Sequence, residues 1–278
     1  MKFLKKLGVL LLCNMKMFNY KINGIYIRCN RKISFFNWDN FTSNNQEAKI
    51  TIEILPQTFE KYNLENLLLN DEDVRLFRYN SEVMVVNDDW SHVRILPPIE
   101  YENINTFLIQ VFHTHAVQKH MIQIHSSLVE YKGKGIMFLG PSGIGKTTQA
   151  ELWNKYLDAL IINGDMVFVE DKGNEFIGWG TPWCGSSPYC ENRSAPVLGL
   201  IVLKQGDENK IRKLDSFEKV SEVSQNIIYP MWLENGMDLC LDTLDHLLRN
   251  VPVYELTNKA DRESVELVKQ VIFIDEKN

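Results

Sequence analysis

Apolar and polar positions alternate through residues 18–30, interrupted at Asn23-Gly24. That rhythm predicts two strands joined by a tight turn. Strands are predicted likewise over 48–55 and 82–87, with Asp88-Asp89 closing the second and His92–Leu96 as its partner. Residues 17–100 therefore read as a β-rich subdomain ending at the Pro97-Pro98 boundary. It carries no repeat and no recognisable catalytic pattern.

The spacing changes at 102–120, where Ile104, Phe107, Leu108, Val111, Phe112 and Ala116 fall at helical intervals. Next come a predicted strand over 122–131, a turn at 132–135, a strand over 136–139, a loop at 140–145 and a helix over 146–157. Apolar Leu160–Ile162 runs into Asn163-Gly164-Asp165. A hairpin follows, with arms 166–170 and 175–179, and then a buried strand over 197–203. Residues 216–249 read as mostly helical, broken near Pro230 and Gly236, before a short strand at 252–256 and a last helix at 262–271. Alternating strands and helices through 101–278 predict an α/β domain.

Composition narrows the function classes. The chain has 278 residues and is 45% hydrophobic, 24% charged and 11% aromatic, as ordinary globular proteins are. A net charge of −6 gives nonspecific nucleic-acid binding no electrostatic drive. The apolar run Leu7–Leu12 is too short to span a bilayer, and Asn14 and Lys16 follow it where a signal peptide would have small residues. Residues 1–16 are thus expected to be a tail or a mis-assigned start, with Met15 or Met17 as the alternative first residue. Five scattered cysteines without a CxxC pair argue against a zinc site and for a reduced, cytoplasmic setting. Cys184 and Cys190 are expected to be two ordinary thiols.

The sharpest chemistry lies at Gly140-Pro141-Ser142-Gly143-Ile144-Gly145-Lys146-Thr147-Thr148, which fits GxxxxGK[ST]. Glycines let such a loop wrap so that its N–H groups converge on phosphate oxygens, and the following helix adds its positive end. Lys146 is expected to reach the β/γ-phosphates and the Thr147 hydroxyl to ligate Mg²⁺. A chain of this length matches the pattern by accident roughly one time in a hundred, and here an apolar strand precedes it and a helix follows. Asp165, ending the next apolar run, is the expected carboxylate for Mg²⁺ or for an acceptor proton. The plain alternative is a hairpin turn, which Asn163-Gly164-Asp165 would also favour.

Several other features have two readings. The Gly180–Ser187 stretch reads as a tight loop that contacts acceptor or nucleobase, or as a turn around a core Trp183. Arg193 could neutralise phosphate, with a surface ion pair as the plainer role. His113, His115, His120 and His125 crowd one region, but His113 and His115 lie about 200° apart on a helix and cannot share a metal. Leu241, Leu244, Leu247 and Leu248 in the 238–248 helix serve core or oligomer packing, so a homo-oligomer stays open.

The order of His125-Ser126-Ser127, the turn at 132–135, the GPSGIGKTT loop and Gly164-Asp165 resembles HPr kinase/phosphorylase. It is also similar to ATP-dependent phosphoenolpyruvate carboxykinase, although the chain is too short for that enzyme. The resemblance covers about 120–170 well, the C-terminal part weakly and residues 1–100 not at all. It implies a P-loop kinase core, ATP and Mg²⁺ as cofactors, and phosphoryl transfer to a hydroxyl, often a serine, of a protein or peptide acceptor. It also implies a place for His125 near the γ-phosphate. One departure stands out: the family's paired aspartates appear as Gly164-Asp165, and the missing first position is the one more often given the base role. A nonenzymatic ATP-binding module and a small-metabolite kinase are the alternatives; the scarcity of arginines after the core weighs against the latter.

Overall fold

A computed structural model describes residues 16–35, 37–45, 47–55, 74–79, 82–96 and 104–273. The expected boundary at Pro97-Pro98 and the expected N-terminal tail, apart from Lys16, lie outside them. The chain divides into two compact units, Met1–Phe112 and His113–Asn278.

The first unit is a sheet in the order β1-β2-β3-β6-β5-β4. Its strands are β1 (Phe18–Ile22), β2 (Ile25–Cys29), β3 (Ile50–Ile54), β4 (Val74–Tyr79), β5 (Glu82–Asn87) and β6 (His92–Leu96). Asn23 and Gly24 both take positive φ, the geometry a two-residue hairpin needs to follow the strand twist. Strict alternation in β2 and β3 sends Ile25, Ile27, Ile50 and Ile52 into the core. Tyr20 crosses Trp38 edge-on at 5.3 Å, and its hydroxyl accepts from the Ile33 N–H at 2.8 Å. Strand β4 escaped the pattern because it sits at the sheet edge with Leu76 and Tyr79 largely exposed.

Helix α1 (Ile104–Val117) leads into the second unit, a sheet ordered β11-β10-β7-β8-β12-β15-β13, with β9 and β14 also paired to β7. Its strands are β7 (Met121–Tyr131), β8 (Lys134–Leu139), β9 (Leu160–Asn163), β10 (Met166–Asp171), β11 (Phe176–Trp179), β12 (Ser194–Gln205), β13 (Lys210–Lys213), β14 (Ile227–Ile228) and β15 (Val253–Asn258). The helices are α2 (Lys146–Leu157), α3 (Ser216–Ser224), α4 (Gly236–Asn250) and α5 (Arg262–Ile272). Strands β8, β12 and β15 run parallel, and alternate residues feed opposite faces. Ile136, Phe138, Ile201 and Leu203 pack with Ala150 and Trp153 of α2 and Val265 and Val268 of α5. Met137, Leu139, Leu200 and Val202 pack with Leu244, Leu247 and Leu248 of α4. Helices on both faces are what buried parallel strands require. Of the α4 leucines Leu241 stays exposed, Leu239 is half-buried against the core, and Leu244, Leu247 and Leu248 are core. The largely helical reading of 216–249 with a break near Pro230 and Gly236 holds, and within the break between α3 and α4 Ile227–Ile228 pairs with β7.

Strand β7 changes partners midway. Residues 121–125 pair with β10, and residues 126–131 with β8. Strand β14 also pairs with Gln123 and Ile124, and β9 with 128–130. The changeover falls at His125-Ser126.

Candidate functional site

The loop 140–145 leaves β8 and turns into α2 through three positive-φ glycines, Gly140, Gly143 and Gly145. Gly140 N–H donates to the Asn226 side-chain oxygen at 3.0 Å, and Ile144 N–H to Pro141 O at 3.2 Å. Lys146 is buried, and its ammonium donates to the carbonyls of Gly140 (2.9 Å) and Pro141 (3.1 Å). Burial holds its pKa below the ordinary lysine value, with the charge of Asp165 opposing that shift. The Ser127 hydroxyl donates to Lys146 O at 3.0 Å, which ties β7 to the first turn of α2. Thr147 points its hydroxyl at Gly164 O, 3.3 Å away. Pro141, Ser142, Gly143 and Thr148 are exposed, and Ile144 is half-buried.

His125 and Asp165, 40 residues apart, meet with Nε2 and Oδ1 2.9 Å from each other, both half-buried. Backbone bonds fix the pair. Ser126 N–H donates to Asp165 O at 2.9 Å, and His125 N–H to Asn226 O at 2.8 Å. The structure thus brings Lys146, Thr147, Asp165 and His125 to one end of the sheet. The other histidines stay apart: His113 is buried between Phe168 and Trp232, and His120 is exposed in the α1–β7 turn. Arg193 is exposed.

Two asparagines hold the site's loops in place. Asn163 is fully buried and accepts from the Asp165 and Met166 N–H groups, both at 2.9 Å. Its amide donates to the carbonyls of Thr181 (3.0 Å) and Trp183 (3.2 Å). It therefore holds the Asp165 turn and the 180–190 loop together. Asn226 holds Gly140 with its side chain and His125 with its backbone, joining the 140–145 loop to β7. Asn163 was visible in the sequence as part of the Asn163-Gly164-Asp165 turn, and Asn226 only as an asparagine beside an apolar run.

The 180–190 loop lies along Gly164 and Asp165, and its Trp183 is buried. Gly164 N–H donates to Tyr189 O at 3.2 Å, and Glu191 N–H to Ile162 O at 2.8 Å. A Cβ at Gly164 would fall 1.9 Å from Ser187 Oγ and 2.5 Å from Ser187 Cβ. The space beside Gly164 is filled by Ser187. Gly185 has φ +57° and lies so close to Asp165 that a Cβ would meet Oδ2 at 2.4 Å. Cys184 and Cys190 are joined by a disulfide, with Cα atoms 6.0 Å apart. This corrects the expectation of two ordinary thiols: the loop doubles back on itself, which a six-residue separation alone does not reveal.

Among the described residues no cluster of three His, Cys, Asp or Glu could hold a metal, and no helix is long and apolar enough to cross a membrane. The Thr147 hydroxyl, which meets Gly164 O, and the neighbouring Asp165 carboxylate are oxygen donors beside the loop. Mg²⁺ characteristically takes one or two carboxylates, with substrate phosphates and water completing its shell. The donor set fits that ion.

Known proteins resemble parts of this chain. The carnitine transport ATP-binding protein OpuCA of Listeria monocytogenes is 29% identical over 113 residues, 38% of this chain and 28% of that protein. HPr kinase/phosphorylase of Mycoplasmopsis pulmonis is 35% identical over 80 residues, 28% of this chain and 23% of that one. The chain thus spans about a quarter of the length of these relatives. The Hpr(Ser) kinase/phosphatase structure from Coxiella burnetii aligns with 54% of this chain and 93% of its own, at 11% identity and a TM-score of 0.32. The sequence similarities are to an ATP-binding protein and to a kinase, in keeping with a nucleotide-binding, kinase-like domain. The family model of SynChlorMet cassette protein ScmC matches residues 98–272, more than half of the chain and all of the loop, His125 and Asp165, and the protein belongs to that family.

Proposed function

We propose that this protein binds ATP and Mg²⁺ at residues 140–148 and transfers the γ-phosphoryl group to a hydroxyl, a serine of a protein or peptide acceptor. The observation that carries the reading is the His125–Asp165 pair, 2.9 Å apart, beside the end of β9 that Thr147 also touches. Similarity to HPr kinase/phosphorylase supports it.

Loop N–H groups and the α2 N-terminus receive the phosphates. Lys146 exchanges its two loop carbonyls for phosphate oxygens, a small movement for a flexible side chain already at the loop. Thr147 and Asp165 would hold Mg²⁺, which would supply neutralisation of phosphate charge when bound. Asp165 also takes the acceptor proton as the acceptor oxygen bonds to the γ-phosphorus and the bond to the β–γ bridging oxygen breaks, releasing ADP. His125 fixes the carboxylate orientation and faces the transferred group. Phosphoryl transfer depends mainly on positioning and charge, so one carboxylate can serve where relatives use two.

A second reading, a noncatalytic ATP-binding module, draws on Gly164 in place of an aspartate and on Ser187 filling the space beside it. Transfer of labelled γ-phosphate to a serine-peptide library separates the two. Transfer by the wild type and its loss in Lys146→Ala and Asp165→Asn is the expected result. Equal transfer by both variants would sink the site assignment. ATP retained without turnover against every acceptor would favour the module.

A further inference from the structure

Strands β8, β12 and β15 are parallel neighbours, so their C-terminal ends lie side by side. The first continues into the phosphate loop, the second into the 205–207 turn and the third into the 258–260 turn. Between the loop and those two turns lies a cavity of about 540 Å³, which reaches Gly143, Gly145 and Thr148 on the loop side. That volume suits a small-molecule site, and crevices at the carboxyl ends of parallel strands are where α/β sheets bind ligands. Residues 180–191 take no part in its lining.

The far wall is built and braced. Asn258 accepts from Ala260 N–H at 2.8 Å and from the Gln149 side chain of α2 at 3.0 Å, while its own amide donates to Lys204 O at 3.2 Å. Asn209 accepts from Lys259 N–H at 2.9 Å and donates to Asp261 at 3.0 Å and to Glu263 at 2.6 Å. The two turns are thereby locked to each other and, through Gln149, to the helix that carries Thr148. Asp207 and Lys259 extend from this braced wall into the cavity lining, and both are exposed. Among the described residues their side chains make no ion pair or hydrogen bond. A carboxylate presented this way accepts well from vicinal hydroxyls, and a lysine stem offers an apolar flank for a flat ring.

We infer that this cavity is the subsite for the nucleoside end of a ribonucleotide, with Asp207 accepting from the ribose hydroxyls and Lys259 flanking the base. The inference rests on the phosphate-loop reading, and the test separates the two. Equilibrium binding of ATP, 2′,3′-dideoxy-ATP and inorganic tripolyphosphate, each with Mg²⁺, is measured for the full chain and for Asp207→Ala, Lys259→Ala and Lys146→Ala. The wild type is expected to prefer ATP over both other ligands. Asp207→Ala should weaken ATP by about tenfold or more, the scale of a hydrogen bond to a charged group, and erase the preference over the dideoxy nucleotide. Lys259→Ala should weaken both nucleotides but not tripolyphosphate, and Lys146→Ala should weaken all three. Equal wild-type affinity for ATP and tripolyphosphate overturns the nucleoside subsite and leaves the loop reading standing. Wild-type discrimination that survives both Asp207→Ala and Lys259→Ala also overturns it. Binding of none of the three by the wild type removes the loop reading and this inference together.

Discussion

Gly164→Ala adds one methyl group at the centre of the candidate site. Gly164 lies outside the left-handed region, so backbone strain does not enter. The whole effect is steric: the new Cβ would sit 1.9 Å from Ser187 Oγ and 2.5 Å from its Cβ, with Tyr189 the next contact at 3.8 Å. Ser187 cannot simply turn away, because its Cβ is also too close, so the 184–190 loop must shift. Overpacking of this kind costs about 1–3 kcal/mol. At about 2 kcal/mol the melting temperature of a domain this size falls by roughly 4–8 °C. Ser187→Gly removes both clashing atoms, so Gly164→Ala should cost little in that background. The assay is a double-mutant cycle by urea and thermal unfolding, with an expected coupling of at least about 1 kcal/mol. Additive losses, or a Gly164→Ala variant as stable as the wild type, would refute the claim that Ser187 fills the space beside Gly164.

Asn226→Ala strips the Gly140 N–H of its partner in a buried setting, so a loss of about 1–3 kcal/mol in unfolding free energy is expected, together with weaker ATP binding. Asn226→Asp keeps the acceptor and should lose less. His113 is buried, among the described residues neither ring nitrogen has a hydrogen-bond partner, and burial pushes its pKa down to about 3. Its folded pKa lies below the unfolded value of about 6.5, so the unfolded chain gains a proton first. Its contribution is complete above about pH 6.5 and is lost as the pH falls toward 3. His113→Leu should flatten the acid limb of a stability–pH profile, and an unchanged limb would contradict the assignment. The Cys184–Cys190 disulfide closes a short loop worth about 2 kcal/mol in chain entropy. A reductant should therefore lower the wild-type melting temperature and leave that of a Cys184→Ala/Cys190→Ala variant unchanged.

Elements whose signal is local were legible in the sequence. Helix α2 begins at Lys146 because Gly145 ends the loop at positive φ, and the hairpin at Asn23-Gly24 writes its own turn. Strands that exist through their partners were not legible. The β13 residues Lys210–Lys213 are mostly exposed and become a strand only by pairing with β15, and Ile227–Ile228 only by pairing with β7. The site divides in the same way. The loop, His125 and Asp165 stand out by residue type and spacing. Asn226 reaches Gly140 across 86 residues, and Asn163, although its turn bonds to Asp165 and Met166 are local, also holds the carbonyls of Thr181 and Trp183, which has no local pattern. Gly164 looked like a loss in the sequence because the side chain that takes its space comes from another loop.

The central claim is that the 140–148 loop binds a nucleoside triphosphate, and thermal unfolding with and without excess Mg-ATP tests it most directly. At about a hundred times its dissociation constant the ligand stabilises the fold by about 2.7 kcal/mol, several degrees for a domain of this size. A rise in the wild type, absent in Lys146→Ala, is the predicted result. No rise in either protein, or the same rise in both, would contradict it.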